Sequence, residues 1–303
     1  MPLSRRALAA ALLVLAGCGG GEGRGAATPA PARSAALVDA SKPPPLVNAF
    51  ERDARSGEYL LTTNRGFFRI DPRTDRVRRI EATITAGSVT AGLGSFLEVS
   101  ATRKPGVLLG SGHPNRADIP EYLGLIRSED GGRTWTTVSR LGEADLHEIA
   151  ERDGRIYAVD AVYGALLISA DGGRTFREHP LPQGLVTSMV LDPADPRRIL
   201  ISIDDQVHRS LDEGRRWRPV LTAQAPRLVW PAAGPLLRAD ADGRVLRSGD
   251  AGSTWQAVGR IDGPDPQALL ARDERRLAAA LADGTIVESA DGGASWAVAF
   301  KPS

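Results

Sequence analysis

Five copies of one octapeptide pattern, S-x-D-x-G-x-[TS]-W, with Phe for Trp in the second copy and Arg for Thr or Ser in the third, stand in the C-terminal part of this 303-residue chain. We call each copy a box. The box aspartates are Asp130, Asp171, Asp212, Asp250 and Asp291, and the residues that close the boxes are Trp135, Phe176, Trp217, Trp255 and Trp296. Successive aspartates are 41, 41, 38 and 41 residues apart. A period of about 40 residues is typical of the four-stranded blade of a β-propeller.

The residue types within the box indicate a tight turn with an apolar anchor. An aspartate carboxylate can accept hydrogen bonds from backbone N–H groups and hydroxyls a few residues on, which folds the chain back. The second glycine tolerates the positive φ that such a reversal needs. The closing aromatic side chain is then expected to pack between neighbouring blades.

Short β-rich runs precede each box, for example Arg155–Asp160 and Ala165–Ser169. A degenerate sixth unit, with strands over 59–63 and 66–70 and a decayed box over 71–77, lies upstream. The predicted blades cover 46–81, 93–141, 144–181, 185–222, 225–260 and 265–300. The sequence therefore predicts an all-β, six-bladed propeller over 46–303, with seven blades as the alternative if 82–96 hold a further partial unit.

The box resembles the Asp-box, or BNR repeat, of bacterial sialidases and related propellers. The segments 109–114, 123–126 and 142–147 also resemble bacterial envelope lipoproteins with Asp-box propellers, which commonly carry sialidase-like or glycosyl hydrolase labels. A more distant resemblance is to photosystem II assembly factors, propellers that act by binding partners. These resemblances imply either a binding platform or a glycoside hydrolase.

The first 17 residues have the pattern of an export signal: Arg5 and Arg6, an apolar run, and small residues before Cys18. Leu15-Ala16-Gly17-Cys18 is similar to a bacterial lipobox, which implies a lipidated Cys18; an ordinary secretory peptide with an incidental cysteine is the alternative. The Arg5-Arg6 pair fits a plain positive region better than a twin-arginine signal. Residues 18–45, rich in glycine, alanine and proline, are predicted to be a disordered tether. These features predict an exported protein anchored by lipid to the inner or outer bacterial membrane and facing the periplasm or the cell exterior.

Composition narrows the class of partner. Without residues 1–17, 36 basic residues face 37 acidic ones, which argues against nucleic-acid binding. Cys18 is the only cysteine, so no disulfide framework can form. We expect a monomer that meets the membrane only through its lipid.

One loop is longer than its equivalents and predicts a functional site. Between the second and third strands of blade 2 the chain runs from 110 to 124, where other blades need three or four residues. His113 and Asp118 lie on this insertion, and His147 and Glu148 enter the innermost strand of blade 3 on the same side. Asp145 precedes them. Such side chains could bind a divalent metal or act as acid and base, although the sequence firmly implies no cofactor; a stiffened loop and a packed histidine are the structural alternative.

No catalytic set is recognisable in the sequence. A sialidase uses a tyrosine nucleophile among carboxylates, and none of the four tyrosines is paired in sequence with a glutamate in that way. Arg69, in Phe68-Arg69-Ile70-Asp71-Pro72, only weakly matches the arginine signature of sialidases. Glu98, Asp118 or Glu148 could serve a two-carboxylate glycosidase. We therefore expect a non-catalytic platform for a protein or glycan partner, bound at the face of 110–124 and 143–148, with a sialidase-like glycoside hydrolase as the alternative.

Overall fold

The computed structural model describes Leu37 and residues 45–302 except positions 95, 115, 224 and 225. The predicted signal, Cys18 and nearly all of the predicted tether lie outside these residues. In the described part, no helix has the length and apolarity needed to cross a membrane. The strands are β1 (Val47–Arg52), β2 (Tyr59–Thr63), β3 (Gly66–Asp71), β4 (Arg76–Ile80), β5 (Thr83–Ala86), β6 (Val89–Gly92), β7 (Phe96–Ala101), β8 (Leu108–His113), β9 (Leu125–Ser128), β10 (Thr134–Ser139), β11 (Leu146–Arg152), β12 (Arg155–Asp160), β13 (Ala165–Ser169), β14 (Arg177–Pro180), β15 (Val186–Leu191), β16 (Ile199–Ile203), β17 (Gln206–Ser210), β18 (Arg218–Thr222), β19 (Arg227–Val229), β20 (Leu236–Ala239), β21 (Arg244–Ser248), β22 (Gln256–Arg260), β23 (Pro266–Ala271), β24 (Leu277–Leu281), β25 (Ile286–Ser289) and β26 (Ala297–Phe300).

The strands form six sheets arranged as the blades of a six-bladed β-propeller. Blade 1 is β1–β4, blade 2 contains β7–β10, and blades 3 to 6 are β11–β14, β15–β18, β19–β22 and β23–β26. Within these four-stranded units the strands are antiparallel and run from the channel outward in chain order. The prediction of six blades is confirmed, and the predicted boundaries agree with the observed strands to within a few residues.

Residues 82–96 do not form a seventh blade. Most of this segment is the hairpin β5–β6, which joins the outer edge of blade 2: β5 runs parallel to β10, with Trp135 opposite Ile84. Ile84 is fully buried, and it belongs to the same apolar cluster as Trp135. The seven-blade alternative is therefore wrong, because the extra strands pair with an existing sheet.

Each box folds as the sequence predicts. In the first, the Ser128 hydroxyl lies 2.9 Å from a carboxylate oxygen of Asp130 and accepts a bond from the Gly132 N–H, also at 2.9 Å. The carboxylate accepts further bonds from the Thr134 N–H (2.9 Å) and hydroxyl (2.7 Å). In the third box the guanidinium of Arg216 takes the place of that hydroxyl, 2.6 Å from the carboxylate. Bonds to the ionised form hold the pKa of Asp212 at about 2.

The glycine at the fifth position of each box has two structural roles. Its φ is positive, +89° at Gly173 and +92° at Gly132. A Cβ there would also collide with the preceding blade, 2.1 Å from Leu125 Cδ2 at Gly173 and 2.3 Å from Phe67 Cε1 at Gly132. Glycine is thus required both by the turn and by the close approach of neighbouring blades.

In the described residues, one apolar cluster fills each joint between blades. A box aromatic packs into five of them, as predicted: Trp135, Phe176, Trp217, Trp255 and Trp296, each against the preceding blade. The indole N–H of Trp135 also donates to the Gly132 carbonyl at 2.9 Å. Because a large side chain contributes roughly 1.5–3 kcal/mol on burial, these joints supply much of the stability.

The sixth joint closes the ring between blade 1 and blade 6 without sharing a strand between them in the described part of the chain. Phe50 stacks on Tyr59 at 5.0 Å between ring centroids, and the Tyr59 hydroxyl donates to the carboxylate of Glu288. Leu37 is fully buried in this cluster, and its carbonyl accepts a bond from Arg65 at 3.1 Å. Side-chain packing therefore closes the propeller.

Candidate functional site

The insertion of blade 2, between β8 and β9, is fastened to the connection between blades 2 and 3. Backbone bonds join Gly142 N to Tyr122 O (2.8 Å) and Gly124 N to Ala144 O (3.1 Å). These bonds hold the C-terminal end of the loop on the face where β8 ends and β11 begins, at one end of the central channel. We call this end the mouth, and we call the face that carries it the mouth face.

The two predicted histidines meet at the mouth and share one carboxylate. Asp145 Oδ2 lies 3.3 Å from His113 Nε2 and 3.1 Å from His147 Nε2. The ring of Tyr122 meets His113 edge-on, with 5.5 Å between centroids. Because His113 is the last residue of β8 and His147 the second residue of β11, this cluster joins blades 2 and 3.

Within this cluster, Asp145 and His147 stabilise each other's ionised forms. Partial burial opposes ionisation of Asp145, but hydrogen bonds and charge from His147 and His113 outweigh it and lower the pKa of this carboxyl. The hydrogen bond to Asp145 raises the pKa of His147. Asp145 thus favours the protonated form of His147.

The four residues proposed as metal ligands are not gathered at one point. Asp118 is exposed near the tip of the insertion and pairs with Arg116 through two contacts of 2.8 Å. Glu148 turns into the channel, where one carboxylate oxygen accepts a bond from the Met189 N–H at 3.0 Å. In the described residues, no group of three or more His, Cys, Asp or Glu side chains has an arrangement suited to a metal ion.

A ring of polar side chains, one from each blade, surrounds the channel below the mouth. We call it the inner ring; its members are Asn48, Glu98, Glu148, Thr187, Arg227 and Gln267. All six line both the mouth cavity, of about 300 Å³, and a deeper cavity of about 440 Å³, so they lie where the two cavities meet. Concave sites of this size with converging polar groups are the usual form of ligand sites.

Bulges in the innermost strands help to place these side chains. Register shifts at Val47/Ala49, Val186/Ser188 and Pro266/Ala268 each leave one inner-ring residue between the shifted pairs. The shift in β11 spans Glu148, whose φ of +46° lies in the left-handed region. β-Bulges commonly redirect a side chain next to a functional site.

The carboxylates of Glu98 and Glu148 and the guanidinium of Arg227 line one channel, and the charges of Glu148 and Arg227 act on each other. Glu98 and Glu148 come from the adjacent blades 2 and 3, whereas Arg227 comes from blade 5, opposite blade 2 in a ring of six. Burial, reinforced by the neighbouring carboxylates Glu148, Glu51 and Asp145, raises the pKa of Glu98. Burial likewise raises the pKa of Glu148 and lowers that of Arg227. Glu51 lines the deeper cavity, and burial raises its pKa to about 7.

The sequence indicates Glu98 and Glu148 as candidate carboxylates but does not single out Glu51, Arg227 or Gln267. A usable signal existed: the inner-ring residue stands 23 to 25 residues before the box aspartate in blades 3 to 6. The side chains are chemically different at this position, so no repeated residue type marks it.

The weak sialidase signature at Arg69 has a structural role. Arg69 lies in β3, where it pairs with Asp53 and Glu58 and donates to the Gly131 carbonyl of the next blade at 3.0 Å. These contacts account for its charge within the joint between blades 1 and 2.

No family model and no curated protein matches the sequence. Among solved structures, the chain is similar to YCF48 from Cyanidioschyzon merolae (14% identity, 84% of this chain, 85% of that one, TM-score 0.50). It is also similar to YCF48 bound to D1 peptide (15%, 85% and 81%, TM-score 0.52) and to the GH74 enzyme of Niastella koreensis (16%, 84% and 45%, TM-score 0.53). The chain spans less than half of that enzyme. At these identities the comparisons establish the fold alone: the protein is a six-bladed β-propeller.

Proposed function

We propose that this propeller is a lipid-anchored, non-catalytic binding platform of the bacterial cell envelope, and that it binds a segment of a partner protein at the mouth face. The anchor is Cys18. The segment lies across the mouth and reaches into the cavity that the inner ring surrounds.

The observation that carries this proposal is the distribution of exposed apolar side chains. Six large hydrophobic residues of the described chain are well exposed, and four of them lie on the mouth face. They are Leu46 (61% exposed), Val162 (43%), Tyr163 (72%) and Leu185 (67%). The backbone amides of Leu46 and Leu185 bond to Asn64 and Asp204, which lie in the connections between the second and third strands and so fix the face. Exposed apolar residues beside a cavity are typical of protein-binding surfaces.

The comparisons support this proposal through the fold only. One propeller with this architecture was solved with a peptide bound. The same fold also occurs in GH74 enzymes, so the fold alone does not decide between binding and hydrolysis. The exposed apolar side chains of the mouth face favour the binding of a protein segment.

The test is site-specific photo-crosslinking of the full-length protein in its native membrane. A photoreactive phenylalanine replaces Tyr163 on the mouth face or, as the matched control, Leu211, which is 60% exposed in the third box on the other face. We expect a discrete protein adduct from position 163 and none from 211. The crosslinked segment, made as a synthetic peptide, should bind the purified protein and lose binding when Leu185→Ala and Tyr163→Ala are combined.

Equal adducts from both positions, or a peptide that binds the double variant unchanged, would contradict the proposal. Hydrolysis of a glycan substrate that is lost in Glu98→Gln would replace it with the hydrolase. The anchor is tested separately: metabolic labelling with an alkyne fatty acid should mark the wild type, and Cys18→Ala should remove the label and release the protein from the membrane fraction.

A further inference from the structure

Three buried ring nitrogens of the described residues lack a hydrogen-bond partner: Nε2 of His179, Nδ1 of His208 and Nε1 of Trp217. All three side chains face the joint between blades 3 and 4. Trp217 packs against the apolar cluster of this joint. The two histidines lie opposite members of the same cluster on neighbouring strands, Leu166 in blade 3 and Ile201 in blade 4. Buried polar groups are nearly always satisfied, so the accumulation of unpartnered nitrogens sets this joint apart.

The same joint departs from the repeat in sequence. His208 stands four residues before its box aspartate, where the other boxed blades carry an aliphatic residue. Those residues are Ile126, Leu167, Leu246 and Val287. Trp217 also lacks the bond from its indole N–H to a box glycine carbonyl that the other box tryptophans make. Those tryptophans are Trp135, Trp255 and Trp296. The polar character of the joint is therefore a property of blade 4 and not of the box.

No charged group compensates the burial of His208 in the described part of the chain. The titratable groups that face the joint are Glu148 and Arg152 from β11, Arg155 and Tyr157 from β12, Arg177 and His179 from β14, and Glu213 from the third box. The Glu213 carboxylate is already paired across the joint, with Arg155 at 2.6 Å and with Arg177 at 3.7 Å. Within blade 4, His208 lies between the uncharged Ile201 and Pro219. Burial alone lowers the pKa of His208, so its protonated form would be an unpaired buried charge.

We propose that the joint between blades 3 and 4 is an acid-sensitive switch, in which uptake of a proton by His208 favours local opening of the joint. Opening lets water solvate the imidazolium, which the closed joint excludes. This inference rests on the proposed function, because the two sides of the joint carry parts of the mouth face: Tyr163 in blade 3 and Leu185 in blade 4. A bound segment that contacts both holds the joint closed, so acid and the partner act in opposite directions.

The direction of the pH dependence follows from linkage. Because burial lowers the pKa of His208 below 6.5, the open joint binds the proton more tightly than the closed joint. The closed form is therefore favoured most above pH 6.5 and loses stability as the pH falls below that value. For a histidine that stays neutral in the closed joint, the opening equilibrium shifts by up to about thirtyfold between pH 7.5 and pH 5.

The test measures opening through a buried cysteine. Residues 18–303 are prepared with Cys18→Ser, which removes the only cysteine, and with one leucine replaced. Leu166→Cys reports on the joint between blades 3 and 4, and Leu125→Cys, the matched control, on the joint between blades 2 and 3. Both leucines are fully buried, and each lies against the fifth residue of the next box, Gly214 or Gly173. Dithiodipyridine, which reacts with thiols in acid, labels the cysteine. The labelling rate, relative to that of the urea-unfolded protein at the same pH, gives the opening constant.

We expect the opening constant at position 166 to be at least about tenfold larger at pH 5 than at pH 7.5, and that at position 125 to rise less than about twofold. His208→Leu, which restores the aliphatic residue of the other blades, should reduce the rise at position 166 to less than about twofold. Melting temperatures show whether the variants are folded. An unaltered opening constant at position 166, an equal rise at position 125, or an equal rise in His208→Leu would overturn the inference.

Failure here is distinguishable from failure of the proposed function, because the labelling needs no partner. If adducts form from position 163 and not from 211 while opening at 166 ignores pH, the platform stands and the switch falls. If position 163 gives no adduct while opening at 166 responds to acid through His208, the acid-sensitive joint stands and its link to a partner falls. Where both hold, the crosslinked peptide should lower the opening constant at position 166 at pH 5 and leave that at position 125 unchanged; a peptide without this effect would overturn the coupling.

Discussion

The phenol of Tyr59 in blade 1 donates a hydrogen bond to the carboxylate of Glu288 in blade 6, 229 residues later in the chain. Burial and this carboxylate together raise the pKa of Tyr59, so the hydroxyl keeps its proton and remains a donor. The contact lies in the joint that closes the ring, where the described strands of the first and last blades remain in separate sheets.

We predict that Tyr59→Phe lowers the free energy of unfolding by about 1 kcal/mol, because the hydrogen bond from the buried Tyr59 side chain to the exposed Glu288 side chain is lost. In a double-mutant cycle with Glu288→Gln, the two effects should not add. Denaturant unfolding measures both, and Tyr163→Phe, at an exposed tyrosine, is the control. Additive effects would show that the pair does not contribute to closure.

Substitutions at two adjacent glycines of the second box allow the energetic cost of backbone strain to be measured separately from the cost of a clash between blades. Gly172 and Gly173 have φ of +76° and +89°, but an added Cβ at Gly172 meets nothing within 4 Å. Gly172→Ala should therefore cost only the left-handed conformation, about 1 kcal/mol. Gly173→Ala should cost about 1–3 kcal/mol more, because its Cβ would strike Leu125. Equal unfolding free energies for the two variants would contradict this account of the box.

Glu51 should make the protein less stable as the pH rises. Its pKa is raised from 4.5 to about 7, so the folded state holds the proton more tightly than the unfolded state, and stability falls between these values. Glu51→Gln should match the wild type below pH 4.5 and exceed it above pH 7 by about 1–2 kcal/mol, since the side chain lines an open cavity and is partly hydrated. Melting curves from pH 4 to pH 9 test this. A variant that is no more stable than the wild type at pH 8 would show that Glu51 ionises without cost.

His147, in its pair with Asp145, should act in the same sense over a higher pH range. The pKa of His147 is raised above 6.5, so its contribution is complete below that value and is lost as the pH climbs through the raised pKa. The pKa of Asp145 is lowered below 3.8, so its contribution persists above 3.8 and is lost only in stronger acid. The melting-temperature difference between wild type and His147→Gln should be largest near pH 5–6 and shrink toward pH 9.

The corresponding difference in the free energy of unfolding should stay below about 1 kcal/mol, because the His147 side chain is 45% exposed and solvent screens the pair. Adding Asp145→Asn to His147→Gln should abolish what remains of the pH dependence of this pair. A difference that is independent of pH would mean that His147 contributes by packing alone.

The fold could be predicted from the sequence because each blade repeats a turn that is held by hydrogen bonds between residues close in sequence. Ser128, Asp130 and Gly132 bond to one another within a few residues, so the pattern can be interpreted without knowledge of the tertiary structure. The meeting of His113 with His147 was also predictable, since the start of an innermost strand and the end of a second strand lie on one face. Both inferences depend only on the regular order of strands within a blade.

Other features depend on contacts that the repeat does not encode. The hairpin β5–β6 joins blade 2 through parallel pairing with β10, a choice set by the fit of Ile84 against Trp135. The inner ring arises because bulges turn chemically different residues to one level of the channel. Asp118 was expected at the site from its neighbourhood in sequence, yet Arg116, two residues away, pairs with it at the exposed part of the loop.

The closure of the ring by side chains has a mechanical consequence. The chain runs directly from blade to blade across five joints, whereas the joint between blades 1 and 6 is held by the side chains of Tyr59, Phe50 and Leu37. Under mechanical load this sixth joint would open first. Residues of the inner ring sit on both sides of that seam, Asn48 in blade 1 and Gln267 in blade 6. A ligand that contacts both residues would stabilise the closed form of this joint. The propeller would therefore resist opening more strongly as more of its channel is occupied.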